Sequence, residues 1–470
     1  MKTRPNVLIV YPDQMREDAM GCSGNPCIRT PNVDRLAAEG VRFENAFTSF
    51  PLCSPFRASL FTGKYAHANG QLANHFPVPL NQDFLPEIMR DNGYRTGYIG
   101  KWHLYGGEKP GFVPPGKPRL GFDHFVGFNR GHYYFGSIYY RDTNQPYHDP
   151  RYEPEYQTDQ LIEFMDSCVA DGDAPFFAMI CYGPPHPPLE APERYLNMYA
   201  PEDVPLSPSV DTSTGEGEAR RFLARYYGLI TAVDDCLGRV LGWLDGRGIA
   251  EDTLVILVSD HGEMAGEYGL YGKKRALRSS MQVPLIVRYP RRFGSGRVVP
   301  FLVDASVDTM PTILEICGIP IPVWVQGVSY LPVLGGSTAP TRDEVFYEII
   351  MQDCGPESFP VPERGLRTLS WLYVRTKQAP TLLFDLKRDP DELENLAGRR
   401  SHDEIVAKLD GRLRKYMEET GDDWDLNAEF PPPNFMTHEE GAENAKRVLQ
   451  EAIVEQPLRR QRQRGGGGTE

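Results

Sequence analysis

The feature that most constrains the fold is a series of short apolar runs that end in polar residues and are separated by helix-like stretches. The clearest runs are NVLIVY (Asn6–Tyr11), FFAMICY (Phe176–Tyr182), TLVILVSD (Thr253–Asp260) and PLIVRYP (Pro284–Pro290). Apolar runs of about four to eight residues between turn signals are typical of strands that are buried on both faces. The pattern predicts an α/β fold with a large, mostly parallel or mixed sheet sandwiched by helices.

The stretches between these runs carry helix signals. PNVDRLAAEG (Pro31–Gly40) has proline at its start and glycine at its end, which is the usual asymmetry of a helix. The longest helical pattern extends from about Glu218 to Gly246 and leads into the apolar run at Thr253. Alternation of strands and helices predicts βα units around the sheet.

The character of the sequence changes after Leu334, so we predict a catalytic domain over residues 1–334. WLYVRTK and TLLFDL are typical of an antiparallel hairpin, and HDEIVAKLDGRLRKYMEET is typical of an amphipathic helix. These segments predict a smaller α+β subdomain over residues 335–425. Residues 426–470 are expected to form an extension that ends in a disordered tail, RRQRQRGGGGTE.

Composition excludes some partners. The net charge of -14 argues against a nucleic-acid-binding surface, and no apolar run approaches the ~18 residues of a membrane span. The N-terminal apolar run is short and lacks a cleavage site, so we expect a cytoplasmic protein rather than a secreted one. The eight cysteines are scattered without metal-type spacing, which favours reduced thiols over a disulfide framework.

Polar side chains follow four of the predicted strands, and ligands of doubly wound sheets bind at the carboxyl ends of strands. These residues are Asp13 and Gln14 after the first strand, Lys101 and His103 in IGKWH, His186 in YGPPHPP, and Asp260 and His261 in VSDHGE. Taken singly, an aspartate is more often a helix cap, and a lysine is more often a solvated charge. Taken together, they predict one shared site at the edge of the sheet.

The donor set restricts the chemistry of that site. Asp13, Gln14 and Asp260 offer oxygen ligands and His261 offers a nitrogen, which suits a hard cation such as Ca²⁺ or Mg²⁺ better than tetrahedral zinc. Lysines and histidines around such a cation suit an anionic, tetrahedral group that is transferred or hydrolysed. Such a reaction requires a nucleophile.

The segment PLCSPFRASLFTG contains CSPFR, which matches the pattern C-x-P-x-R at Cys53–Arg57. With NVLIVYPDQ, GKWH, SDHGE and LFDLKRDPDELENLA, it resembles the type I sulfatases of the alkaline-phosphatase superfamily. The resemblance implies that a formylglycine-generating enzyme oxidises Cys53 to formylglycine (3-oxoalanine). One hydroxyl of the hydrated aldehyde would then attack sulfur, and deprotonation of the other would release sulfate. The expected function is hydrolysis of a sulfate ester.

The resemblance also implies a role for each site residue. The metal, Ca²⁺ or alternatively Mg²⁺ or Mn²⁺, would be bound by Asp13, Gln14, Asp260, His261 and the oxidised Cys53. Arg57 would hold the nucleophile and the metal ligands in place. Lys101 and His103 would contact the nucleophile, with His103 as the base, while Lys101 also helps to bind the substrate. His186 and Lys273 would bind the sulfate, and His186 would protonate the leaving oxygen.

Four positions depart from the pattern of many sulfatases. Gln14 stands where many members have aspartate, which should weaken cation binding, and His261 replaces an asparagine. Phe56 occupies a position that is usually small, so it is expected to narrow the approach to Cys53 or to slow its modification. Arg278 stands where glutamate is common, and the sequence gives no account of that change.

Three other interpretations stay open at this point. The first is a phosphonate monoester or phosphodiester hydrolase with the same nucleophile, and the second is a non-catalytic protein that binds sulfated glycans. The third is that Cys53 is a buried structural thiol, since free cysteine is commonly buried.

The substrate, a small-molecule or saccharide sulfate ester, is not fixed by the sequence. Six residues are candidates for lining the mouth of the site, and packing of their aromatic rings on the core is an equally open interpretation. They are Asn74, His75, Tyr133, Tyr134, Phe135 and Tyr139.

Overall fold

The computed structural model describes residues 4–172, 174–213, 215–350, 362–424 and Arg447. Its strands are β1 (Asn6–Asp13), β2 (Val41–Phe47), β3 (Arg95–Lys101), β4 (His124–Phe128), β5 (Phe135–Tyr139), β6 (Tyr147–Tyr152), β7 (Phe176–Pro185), β8 (Thr253–Val258), β9 (Leu285–Arg288), β10 (Arg297–Asp304), β11 (Val345–Ile349), β12 (Glu363–Arg367), β13 (Trp371–Arg375) and β14 (Pro380–Asp385). Its α-helices are α1 (Pro31–Ala38), α2 (Cys53–Thr62), α3 (Ala66–Asn69), α4 (Leu85–Asp91), α5 (Glu153–Ala170), α6 (Glu193–Leu196), α7 (Glu216–Gly246), α8 (Arg278–Met281), α9 (Thr309–Ile316), α10 (Leu331–Leu334) and α11 (Asp403–Thr420).

The main sheet has the strand order β10-β2-β9-β8-β1-β7-β3-β4. Strand β9 pairs antiparallel with β2 and β8, and the other neighbouring pairs are parallel. Every residue of β1 is buried, because β1 lies between β7 and β8 with helices on both faces of the sheet. The prediction of a large, mostly parallel or mixed sheet between helices is confirmed.

The topology brings the predicted site residues to one edge. Strands β3, β7, β1 and β8 are consecutive and parallel, so their carboxyl ends point the same way. Asp13 is the last residue of β1 and Lys101 is the last residue of β3, while β8 ends just before Asp260. This edge is where ligands bind in open α/β sheets.

The C-terminal part contains an antiparallel sheet of order β11-β12-β13-β14. Leu409 and Leu413 of α11 are buried in a hydrophobic cluster with Tyr373 of β13 and Leu383 of β14. A smaller α+β part with antiparallel strands and a helix is therefore confirmed. The exact boundaries, 1–334 and 335–425, stay predictions, and the predicted extension at 426–470 lies outside the described residues, apart from Arg447.

Two further sequence predictions concern membranes and cysteines. Across the described ranges, no helix is both long and apolar enough to cross a membrane. The cysteines in those ranges, which exclude Cys354, are all free, so no disulfide links them.

Candidate active site

Cys53 is the first residue of α2, a helix whose ten residues are all buried. Leu52 precedes it in extended conformation without a side-chain cap, and the Ser54 N–H of the first turn donates to Asn74 Oδ1 at 3.0 Å. A helix N-terminus favours negative charge through its dipole and its free N–H groups. Burial, together with the Asp13 carboxylate, raises the pKa of the Cys53 thiol. The unmodified side chain is therefore a neutral thiol, which is a poor nucleophile.

Arg57 lies one turn further along α2 and contacts Asp13 rather than Cys53. Its Nη2 is 3.1 Å from Asp13 Oδ2, and its Nη1 donates to the Lys101 carbonyl oxygen at 2.6 Å. Nη1 also donates to the Tyr98 hydroxyl at 3.1 Å. The guanidinium thus fixes the end of β1 against the end of β3.

Four side chains converge on a small volume beside the start of α2. Single donor atoms of Asp13, Cys53, Asp260 and His261 all lie within 4.8 Å of one another. Cys53 Sγ is 3.3 Å from His261 Nε2 and 3.9 Å from Asp13 Oδ1. All four residues are buried, so their charges are not screened by bulk water.

The hydrogen bonds of this cluster fit a divalent cation. Asp260 Oδ2 is buried and has no hydrogen-bond partner among the described residues. Burial lowers the pKa of His261 to about 4, and its Nδ1–H donates to the Gly262 carbonyl oxygen at 3.0 Å. The lone pair of His261 Nε2 therefore faces Asp260 Oδ2 at 3.3 Å. A cation between these two acceptors would satisfy both of them.

Gln14 lies at the same site in left-handed backbone conformation (φ 68). Its N–H donates to Asp260 Oδ1 at 2.9 Å, which orients a predicted ligand. Its Oε1 accepts a hydrogen bond from Lys273 Nζ at 2.6 Å, and its Nε2 donates to Glu263 Oε2. The Gln14 amide is thus engaged by its neighbours, and its role as a metal ligand stays a prediction.

Lys101 and His103 line the same cavity as Cys53. Lys101 Nζ is 2.8 Å from Asp13 Oδ2 and 3.0 Å from His132 Nε2. Both ring nitrogens of His103 are buried without a hydrogen-bond partner in the described ranges. Burial, with the nearby Lys101 and Arg130 cations, holds the pKa of His103 well below its usual range. His103 is therefore a neutral imidazole that is available to accept a proton.

His186 and Lys273 form a hydrogen-bonded pair. Lys273 Nζ is 2.8 Å from His186 Nε2, and His186 Nδ1 is 2.6 Å from the Pro187 carbonyl oxygen. Burial and the Lys273 ammonium lower the pKa of His186 well below its usual range. His186 is thus neutral, and the proton of the pair resides on Lys273.

A cavity of about 430 Å³ opens in front of these groups. Cys53, Lys101, His103, His186 and Lys273 all line it, so the structure brings together the residues predicted for catalysis and substrate binding, apart from Arg57. Arg57 lies behind this wall and reaches the site through Asp13.

His132 and Glu263 are among the site residues that the sequence analysis did not identify. His132 stacks on His186, with ring centroids 3.8 Å apart and an interplanar angle of 4°. Glu263 accepts from Gln14 Nε2 and, through Oε1, from the Ala265 N–H at 2.9 Å. Glu263 lies within SDHGE, so the motif itself was a signal. His132 follows β4 only after an intervening polar segment, so a search for polar residues directly after apolar runs did not find it.

The candidate aromatic residues divide between the site and the core. Tyr133 lines the cavity, as do Asn74 and His75. The buried Tyr134 donates its hydroxyl to the His186 carbonyl oxygen, so it supports the site from behind. Tyr139 is a core residue, whereas Phe135 is 48% exposed.

Two departures from the sulfatase pattern are explained by packing. Phe56 is fully buried in the core, with its ring 5.8 Å from that of Tyr11, and it lies outside the cavity wall formed by the described residues. The expectation that Phe56 narrows the approach to Cys53 is therefore wrong, because its ring faces the core.

Arg278 begins α8, where its guanidinium is 3.5 Å from Asp391 and its N–H donates to Glu392 Oε2 at 2.9 Å. Arg278 thus links the main fold to the C-terminal part.

Comparison with known proteins agrees with this geometry. The sulfatase family model matches residues 5–319. The chain belongs to the sulfatase family. The model for the C-terminal region of N-sulphoglucosamine sulphohydrolase matches residues 266–419.

Individual relatives extend over most of the chain. An ulvan-active sulfatase of Formosa agariphila is 34% identical over 90% of this chain and 83% of its own length. A solved sulfatase structure from Bacteroides thetaiotaomicron, titled for the metabolism of multiple glycosaminoglycans, has a TM-score of 0.81 at 25% identity and covers 90% of this chain and 97% of its own. The phosphonate monoester hydrolase of Agrobacterium radiobacter has a TM-score of 0.74 at 26% identity, with coverage of 89% and 96%.

These matches confirm the predicted family, fold and reaction class. The chain has the alkaline-phosphatase-like fold of the sulfatases and is a sulfuric ester hydrolase. The family is known for a formylglycine residue and a divalent metal, and the cluster around Cys53 is a group that can hold such a metal.

Proposed function

We propose that this enzyme hydrolyses the sulfate ester of a saccharide at Cys53. The observation that carries the proposal is the position of Cys53, which begins a buried helix and lies beside Asp13, Asp260 and His261. The cavity in front of Cys53 is lined by cationic and imidazole side chains that match a sulfate ester in charge.

The proposed cation site consists of Asp13, Gln14, Asp260, His261 and residue 53. Its oxygen donors favour Ca²⁺, with Mg²⁺ and Mn²⁺ as alternatives. A bound divalent cation would supply Lewis-acid polarisation of sulfate oxygens at this site. Arg57 and Lys101 hold Asp13 from the other side, through contacts of 3.1 Å and 2.8 Å to Oδ2, so the carboxylate keeps its orientation.

Residue 53 is proposed to carry the nucleophile after its oxidation by a formylglycine-generating enzyme. Formylglycine would supply a hydrated aldehyde, whose first hydroxyl attacks sulfur and whose second hydroxyl allows sulfate to be expelled. The raised pKa of the Cys53 thiol favours this proposal, because the unmodified side chain is protonated at neutral pH.

The remaining side chains divide into a base and a sulfate-binding group. His103 is neutral and has no hydrogen-bond partner among the described residues, so it is placed to accept a proton at either ring nitrogen. Lys101, His186 and Lys273 bind the sulfate oxygens. When the S–O bond of the ester breaks, the leaving oxygen takes a proton from the His186–Lys273 pair, in which Lys273 Nζ holds the proton.

A saccharide is the proposed alcohol part of the ester. The cavity volume of about 430 Å³ lies within the range of small-molecule sites, and Asn74 and Tyr133 offer polar and stacking surfaces on its wall. The ulvan-active relative and the structure titled for glycosaminoglycan metabolism favour a sulfated sugar over a small alkyl sulfate.

Parallel rate measurements test this function against its nearest rival. The protein with converted Cys53 is assayed for sulfate release from 4-nitrophenyl sulfate and for hydrolysis of a 4-nitrophenyl phosphonate monoester. We expect a higher kcat/KM for the sulfate. A strong preference for the phosphonate would instead favour the activity of the Agrobacterium radiobacter neighbour, and binding of sulfated sugar without turnover would favour a non-catalytic protein.

A further inference from the structure

His132 is a residue of the site to which the proposed function gives no role. It follows β4 and lines the same cavity as the residues proposed for catalysis. The turn before it depends on Gly131, whose φ of 115 is a conformation that glycine adopts readily and other residues rarely adopt. The Asn129 N–H donates to the Gly111 carbonyl oxygen at 3.0 Å, which holds the start of this turn. The fold therefore gives His132 a defined position on the cavity wall.

The hydrogen bonds of His132 define which of its ring nitrogens carries the proton. Its Nε2 is 3.0 Å from Lys101 Nζ, and an ammonium can only donate, so Nε2 accepts. Burial, with the nearby His186 and Lys101, holds the pKa of His132 well below its usual range, so the ring is neutral. Its single proton is therefore on Nδ1, which is 3.2 Å from the Tyr134 hydroxyl oxygen. The Tyr134 hydroxyl in turn donates to the His186 carbonyl oxygen, so a chain of hydrogen bonds connects Lys101 to the backbone of His186.

The second contact of His132 is with the ring of His186. The two imidazole rings are parallel, with centroids 3.8 Å apart and an interplanar angle of 4°. His186 Nδ1 is 2.6 Å from the Pro187 carbonyl oxygen, and its Nε2 is 2.8 Å from Lys273 Nζ. Hydrogen bonds to ring nitrogens lie near the plane of the ring, so they hold the edge of the His186 ring. The stacked ring of His132 holds its face and restricts its tilt.

The direction of the Lys101 ammonium also depends on His132. An ammonium has three N–H groups. Among the described residues, Lys101 Nζ donates to Asp13 Oδ2 at 2.8 Å and to His132 Nε2 at 3.0 Å. One N–H is therefore left for a ligand in the cavity that Lys101 lines. Because the fold fixes both acceptors, the direction of this N–H is fixed as well, and loss of the His132 acceptor would allow the ammonium to rotate.

We propose that His132 is a positioning residue that aligns the Lys101 ammonium and the His186 ring for hydrolysis of the sulfate ester. Its Nε2 directs Lys101 toward the sulfate oxygens, and its ring face orients His186 toward the leaving oxygen. This inference rests on the proposed function, in which Lys101 binds sulfate and the His186–Lys273 pair supplies the proton. The two contacts of His132 act on different steps, so their removal should have different kinetic consequences.

Two variants of His132 separate the two contacts. His132→Gln keeps a side-chain acceptor for Lys101 but has no ring to stack on His186. His132→Phe keeps a ring that can stack but has no acceptor for Lys101. The same substitutions of His124 are the matched controls, because its ring stacks on Phe164 with centroids 4.8 Å apart. His124 is the first residue of β4, which is parallel to β3, so it lies at the edge of the sheet opposite to the site.

The proteins are assayed after conversion of Cys53, with 4-nitrophenyl sulfate and phenyl sulfate as substrates and ion chromatography of the released sulfate. Phenol is the poorer leaving group, so hydrolysis of phenyl sulfate depends more on a proton donor. General acid catalysis contributes about 10²–10⁴ in rate, so a misaligned donor should cost about tenfold. We therefore expect His132→Gln to lower kcat/KM about tenfold more for phenyl sulfate than for 4-nitrophenyl sulfate.

His132→Phe should instead lower kcat/KM for both esters by about tenfold, because a hydrogen bond to a charged group contributes that much. The ratio of kcat/KM between the esters should stay at the wild-type value. Both His124 variants should keep the wild-type ratio. Each ratio is measured on one preparation, so neither the folded fraction nor the extent of Cys53 conversion affects it. If one His132 variant does not fold by circular dichroism, the other still tests the contact that it removes.

The outcomes separate the inference from the proposed function. If the ratio for His132→Gln equals that of wild type, His132 does not orient His186, while sulfate ester hydrolysis stands. If kcat/KM for His132→Phe equals that of wild type, His132 does not direct Lys101. An equal change of the ratio in both variants would show that the ring stack is not what orients His186. If converted wild-type protein releases sulfate from neither ester, the proposed function falls, and the inference falls with it.

Discussion

Replacing Arg57 by methionine should destabilise the protein because it breaks a buried ion pair. Arg57 and Asp13 are 1% and 0% exposed, with 3.1 Å between Nη2 and Oδ2. Removing one partner of such a pair costs about 3–5 kcal/mol, because the remaining charge stays away from water. Since Lys101 Nζ also contacts Asp13 Oδ2 at 2.8 Å, we expect a loss near the lower end, about 3 kcal/mol.

The hydrogen bonds of Arg57 predict an order among its variants. Its Nη1 donates to the Lys101 carbonyl oxygen at 2.6 Å and to the Tyr98 hydroxyl at 3.1 Å. Arg57→Lys keeps the charge but loses the planar fork that makes these bonds at the same time as the Asp13 contact. We therefore expect Arg57→Lys to be less stable than wild type but more stable than Arg57→Met.

Urea unfolding followed by tryptophan fluorescence measures these losses. Arg278→Met is the matched control, because Arg278 is 40% exposed and its guanidinium is 3.5 Å from Asp391. A surface pair of this kind contributes about 0–1 kcal/mol. If Arg57→Met destabilises the protein no more than Arg278→Met does, Arg57 is not the buried counter-charge that we describe.

Three further perturbations test the site and its surroundings. Burial raises the pKa of Glu153 from 4.5 to about 8, so the folded protein keeps a proton that the unfolded chain loses, and its stability declines as pH rises through this interval. Glu153→Gln should remove this decline, so the difference in free energy of unfolding between the variant and wild type should shift by a few kcal/mol in favour of the variant from pH 5 to pH 8. If the stabilities of the two proteins change in parallel with pH, the account is contradicted. His103→Gln should lower kcat by about 10²–10⁴ with little change in the thermal midpoint, whereas a kcat within a factor of ten of wild type would show that another group is the base. Dialysis against EDTA should abolish sulfate release and lower the midpoint of thermal unfolding, and added Ca²⁺ should restore both, because the cation offsets the charge of the buried carboxylates. Equal unfolding midpoints with and without EDTA would argue against the cation site.

The central strands could be predicted from the sequence because their burial leaves a direct pattern. β1, β7 and β8 are apolar along their length since both faces of the sheet are covered. Once these strands are parallel neighbours, their ends must meet at one edge. Asp13 and Asp260 could therefore be assigned to one site before any distance was known.

Other features depend on tertiary contacts that local patterns do not encode. The apolar run of β9 predicts a strand but does not give its direction, and β9 is the antiparallel member of the main sheet. Strands β11 and β12 were not predicted, and for β12 the reason is that its sequence ERGLR is not an apolar run, although the strand is largely buried between β11 and β13. Whether Phe56 faces the cavity or the core depends on the rotation of α2, and a helix that is buried on every side shows no polar face from which that rotation could be predicted.

The central claim is that turnover depends on the conversion of Cys53. Preparations with different extents of conversion are digested, and mass spectrometry of the peptide that contains Cys53 gives the fraction that carries the aldehyde. The same preparations are assayed for sulfate release under saturating substrate. We expect kcat per protein molecule to rise in proportion to the aldehyde fraction and to vanish for the intact thiol. A preparation in which Cys53 remains entirely a thiol, and which still releases sulfate at the full rate, would contradict the account.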